Sequence, residues 1–136
     1  MTATAASSRT VPLRVGVLAV GGAALMVAAL WAAAQILGIE LRVDPGDGRA
    51  PGVVSLPFAV TVSLAVSLVG WGARVLLDRL IRRSSVVWTV LAILVLLASF
   101  PPLVTVEATA AATAVLALMH VAVAAVLIPV FGRRAP

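Results

Sequence analysis

The run Gly70-Trp71-Gly72-Ala73-Arg74-Val75-Leu76-Leu77-Asp78-Arg79-Leu80-Ile81-Arg82-Arg83-Ser84-Ser85 holds four of the chain's ten basic residues, and all ten are arginine. Long apolar segments flank it, two before and two after. In that setting it reads as the charged turn at the centre of a membrane protein. Its arginines decide which way the chain faces, because basic residues are retained on the cytoplasmic side.

Composition requires the same class. Of 136 residues, 62% are hydrophobic and 11% charged, and the mean hydropathy is +1.19. A soluble domain is roughly half apolar and a quarter charged. A chain of this size cannot hide so much apolar surface in one core, so the excess faces lipid. The net charge of +5 comes from residues at the ends of apolar runs. Nucleic-acid binders instead line one face with basic residues, so no nucleic-acid partner is expected. Anionic lipid headgroups on the cytoplasmic side are the expected partner. Cysteine is absent, which removes disulfides, thiolate metal sites and thiol redox chemistry.

Four spans follow. Residues 1–14 read as a disordered cytoplasmic tail, and residues 15–134 as one four-helix transmembrane domain. Helices are expected over about 15–37, 53–83, 86–104 and 106–131, each long enough for a bilayer core that needs about 20 helical residues. Ser55 caps the second and Pro57 sits in its first turn, where proline is tolerated. Pro101-Pro102 closes the third. Thr105 caps the fourth, with Glu107 in its first turn, where a negative charge suits the helix dipole. All eight prolines fall at helix ends or in loops, unlike the broken helices of many transporters. Between the first two spans, Ile39, Leu41 and Val43 alternate with Glu40, Arg42 and Asp44, a strand period. Asp44-Pro45-Gly46-Asp47-Gly48 is turn chemistry. The two aspartates lack the ligand spacing of a calcium loop.

With both termini and the Gly70–Ser85 turn on one side, that side holds Arg9, Arg14, Arg74, Arg79, Arg82, Arg83, Arg133 and Arg134. The other holds Arg42 and Arg49. Eight against two places the termini in the cytoplasm and leaves a short extracellular loop between helices 1 and 2. The beginning of the chain also resembles a secretory signal, with Ala32-Ala33-Ala34 as its cleavage site. Its apolar run exceeds the roughly 7 to 15 residues of such a segment, so it is expected to stay in the mature protein.

In lipid, helices associate through small residues. Helix 1 offers Gly21, Ala24, Ala28, Ala32 and Gln35 at helical spacing; helix 2 offers Ser63, Ser67, Gly70 and Arg74. Helix 4 offers Thr109, Thr113, Ala117, His120 and Ala124. Helix 3 is bulkier, so helices 1, 2 and 4 are expected to meet and helix 3 to face lipid. His120 is the only histidine and falls near mid-membrane, where an ionisable group suggests function. His120, Ser67 and Thr113 are therefore the candidate intramembrane polar site. No acid lies at that depth, so a proton relay or zinc site lacks its second group. The plainer reading is a neutral imidazole bonded to Ser67 or to a backbone carbonyl. Arg74, Asp78 and Arg82 repeat every four residues as an ion-pair ladder. Arg74, Arg79, Arg82 and Arg83 together form the candidate patch for anionic lipid or a protein partner. Gln35, Ser55 and Glu107 share the outer membrane level and form a weaker polar cluster.

Three short motifs carry a family resemblance: Gly70-Trp71-Gly72 entering the arginine turn, Val87-Trp88-Thr89, and Ala117-Leu118-Met119-His120 followed by Leu127-Ile128-Pro129. The chain resembles a family of small actinobacterial four-span membrane proteins without an assigned function, so the resemblance implies topology and no activity. Small multidrug exporters carry a glutamate in their first helix, which is missing here, and quinone-linked thiol oxidoreductases need cysteines. The expectation is an all-α, four-helix transmembrane bundle with both termini cytoplasmic in the plasma membrane. It is expected to be a structural or accessory component, not an enzyme, without cofactor, assembled with itself or with a larger membrane complex. The alternative is a small transporter or channel subunit using His120.

Overall fold

Four long helices run up and down in sequence. In a computed structural model that describes residues 11–133, they are α1 (Leu13–Ile36), α2 (Leu56–Leu80), α3 (Ser84–Thr105) and α4 (Ala110–Gly132). Each is long and apolar enough to cross a membrane. A helix satisfies its own backbone, which lipid cannot do. The tail expected over residues 1–14 lies outside the described residues as far as residue 10, as do Arg9 and Arg134.

Local chemistry sets most of the ends. Gly38, at φ +70°, closes α1; its amide bonds the Gln35 carbonyl at 3.1 Å and Ile39 bonds Ala34 at 2.8 Å. That is a glycine-terminated double cap, which only a residue tolerant of positive φ forms easily. Ser55 caps α2 by accepting from the Phe58 amide at 3.3 Å, with Pro57 in the first turn, as the sequence predicts.

Other ends differ from the sequence reading. α2 runs from Leu56 to Leu80, not from 53 to 83: Gly52-Val53 pairs as a strand before it, and after it Ile81 is extended and Arg82 and Arg83 form a tight turn into α3. Pro101 and Pro102 lie inside α3, which continues to Thr105. Each proline removes its own N–H bond and crowds the carbonyl four residues back, so the end of α3 is held without those two bonds. Pro129 likewise lies inside α4. The cap of α4 is Thr109, whose hydroxyl accepts from the Ala112 amide at 3.1 Å. Thr105 instead ends α3, donating to the Pro102 carbonyl at 3.1 Å. Glu107 lies outside the helix because its backbone is used elsewhere. Asp44 and Glu107 exchange two N–H to carbonyl bonds of 2.9 Å each.

That exchange completes a small cap on one end of the bundle. Strands β1 (Arg42–Val43) and β2 (Gly52–Val53) pair antiparallel, with Arg42 opposite Val53 and Val43 opposite Gly52. The side chain of Leu41 is wholly buried beneath them, and the Trp31 indole of α1 donates to the Val54 carbonyl at 3.0 Å.

α1 packs against α2 and α4, and α3 packs against α4 and less extensively against α2. The helices thus form a ring in which α2 and α4 face across the diagonal. The expected close trio of helices 1, 2 and 4 is therefore a pair of contacts made by α1, with α4 bound as extensively to α3. α3 is still the least buried of the four, with 6% of its most apolar stretch buried. The seam on α1 is Gly16, Ala19, Val20, Ala23, Val27 and Ala34, while Gly21, Ala32 and Gln35 of the expected seam are exposed. Gly16 is needed: a Cβ there would stand 2.2 Å from the Trp71 ring. On α2 the expected face holds, with Ser63, Ser67 and Arg74 buried.

Candidate functional site at the α2–α3 turn

Arg74 sits one turn before Asp78 on the buried face of α2. A four-residue spacing puts the two side chains together, and they form an ion pair whose side chains are 3% and 2% exposed. Arg74 Nε also donates to the Phe131 carbonyl of α4 at 2.5 Å. From α3, the Ser84 hydroxyl donates to Asp78 Oδ1 at 2.5 Å, and the Ser85 hydroxyl donates to the Gly132 carbonyl. Three helices therefore meet on one ion pair. The last carbonyls of α4, left without partners by the helix itself, are capped by a guanidinium and a hydroxyl from its neighbours.

Trp88 of α3 closes the site from the membrane side. It stacks edge-on against Phe131 with centroids 5.6 Å apart, and its ring lies against Gly70, where a Cβ would come within 3.2 Å. The buried Arg74–Asp78 ion pair attracts strongly at low dielectric and must offset a large desolvation penalty. Asp78 Oδ2 and Trp88 Nε1 are buried and make no hydrogen bond among the described residues.

Arg74 is thus removed from the patch the sequence proposed. The ladder has one rung, because Arg82 falls in the turn after α2 ends and exposes its side chain. Arg79, Arg82 and Arg83 of that patch are all exposed.

His120, Ser67 and Thr113 do not form a bonded cluster. His120 Nδ1 donates to the Leu116 carbonyl of its own helix at 2.6 Å, and its ring lies 6.5 Å from that of Phe100. Ser67 is fully buried, and its hydroxyl, like that of Ser63, finds no partner among the described residues. Thr113 is half-buried on α4.

At the hairpin end, Gln35 is exposed, Ser55 caps α2, and Glu107 holds the hairpin through its backbone, so the expected polar cluster is not assembled. A cleft of about 390 Å³ lies there instead, lined by Arg42, Asp44, Pro51, Glu107, Ala108 and Thr109. The Glu40 carboxylate, bonded to Arg42 at 2.8 Å, raises the Arg42 pKa further. Among the described residues, no three His, Asp or Glu side chains gather as a metal site would require.

Ser84, Ser85, Trp88 and the Phe131 carbonyl were not identified from sequence as parts of one site. The available signal was Arg74 four residues before Asp78 and four after Gly70, with Ser84-Ser85 directly after the turn.

No curated protein and no solved structure matches this sequence. A family model described as "Family of unknown function (DUF6069)" matches residues 7–136. With nearly the whole length matched, this four-helix chain belongs to the DUF6069 family of unknown function.

Proposed function

We propose that the protein is a non-enzymatic structural or accessory component of the plasma membrane, with the α2–α3 turn and both termini in the cytoplasm. The observation that carries this reading is the use made of ionisable side chains within the helices. Arg74 and Asp78 are both committed to joining α2, α3 and α4. His120 is bonded to its own helix and forms no ion pair among the described residues. Side chains committed to bridging neighbouring helices hold a bundle together. The distribution of arginines supports the orientation.

A component of this kind is defined by what it assembles with. The test is purification in mild detergent from the native membrane, followed by mass measurement of the intact particle. The reading expects a self-assembled oligomer or a stoichiometric complex with another membrane protein. A monodisperse monomer that drives solute flux when reconstituted would replace it with the transporter reading.

A further inference from the structure

The two ends of the bundle treat their charges differently. At the hairpin end both arginines have acidic partners, Arg42 with Glu40 and Arg49 with Asp47. At the opposite end the only carboxylate among the described residues is Asp78, and Arg74 holds it inside the bundle. That leaves Arg14, Arg79, Arg82, Arg83 and Arg133 exposed, with no ion-pair partner among the described residues. We propose that this end is a docking surface for anionic phospholipid headgroups, and that burial of Asp78 keeps it uncompensated.

Position supports the lipid. α2 has 25 residues, about 37 Å of helix against a hydrocarbon core of about 30 Å, so Arg79 in its last turn reaches headgroup depth. Arg14 opens α1, and Arg133 follows α4. The five guanidiniums thus come from α1, α2, the turn and α4, spread around the end of the bundle. A bilayer offers phosphate on every side of the bundle at this level, whereas an acidic segment of another protein would meet one side. Each guanidinium can hold two phosphate oxygens at once.

This proposal needs the chain to be a membrane protein but does not depend on its orientation or on its being an accessory component. The test uses the purified full-length chain, delipidated in detergent and mixed with equal amounts of phosphatidylglycerol and phosphatidylcholine. Retained lipid is counted by native mass spectrometry. The parent should retain phosphatidylglycerol selectively. Arg79→Gln/Arg82→Gln/Arg83→Gln should weaken that retention by about a hundredfold, since each basic residue near an anionic surface contributes about fivefold. Arg42→Gln/Arg49→Gln should leave it unchanged, with circular dichroism confirming equal helix in all variants. Equal retention of both lipids by the parent, or no loss in the triple variant, would overturn the proposal. So would displacement of the lipid by inorganic phosphate at matched phosphate concentration, which indicates a free-anion site. Displacement by polyglutamate at matched charge would assign the surface to an acidic protein instead.

Discussion

Arg74 Nε donates to the Phe131 carbonyl at 2.5 Å, so a side chain from α2 caps the last turn of α4 across 57 residues of sequence. The same guanidinium pairs with Asp78, which accepts from Ser84 of α3. One arginine therefore fixes where α2 and α4 end relative to the start of α3.

Replacing Arg74 by Ala should be strongly destabilising, because it strands the Asp78 charge in a site where it is 2% exposed. Removing one partner of a buried pair typically costs roughly 3 to 5 kcal/mol. Arg74→Met/Asp78→Leu should cost much less than Arg74→Ala, since it removes the desolvation penalty along with the pair. Thermal unfolding in detergent measures both. Equal stability of Arg74→Ala and the parent would show that the ion pair does not hold the bundle.

Gly16→Ala should push α1 away from α2, because the new methyl would stand 2.2 Å from the Trp71 ring. Overpacking of that kind costs about 1 to 3 kcal/mol. Gly21→Ala, with nothing within 4 Å of its added methyl, should be neutral or slightly stabilising. The same unfolding assay separates them, and similar losses for both would reject the α1 seam described here.

The contrast between those two glycines shows what the sequence revealed and what it hid. Length, apolarity and the Gly70–Ser85 arginines were enough for four helices, and Ser55-Pro57 marked the start of α2. The face of α1 was hidden because lipid and core are both apolar, so periodicity does not separate them; the expected seam took in Gly21 and passed over Gly16. On α2 the buried polar residues Ser63, Ser67 and Arg74 broke that degeneracy, and the face was readable. Asp78 was visible as a partner of Arg74. Its depth, and the contacts from Ser84 and Phe131, depend on three helices meeting and have no local signature. The start of α4 was misplaced for a similar reason, since the pairing of Glu107 with Asp44 is a tertiary contact.

Orientation is checked with single cysteines, since the chain has none of its own. On intact cells a membrane-impermeant thiol reagent should label Asp47→Cys in the hairpin turn. It should reach Arg82→Cys, at the exposed α2–α3 turn, only after permeabilisation. The reverse pattern would invert the proposed topology.

The most direct test of the central claim, that the polar groups in the helices hold structure and carry no transport, is a pH-stepped proton-flux measurement in liposomes. It is made on the parent and His120→Gln, with stability measured on the same preparations. His120 bonds the Leu116 carbonyl of its own helix, and polar contacts within membranes are typically worth about 0.6 kcal/mol. The account predicts no flux from the parent at any pH step and a small stability change in the variant. A robust proton flux in the parent, abolished in His120→Gln at unchanged stability, would contradict it.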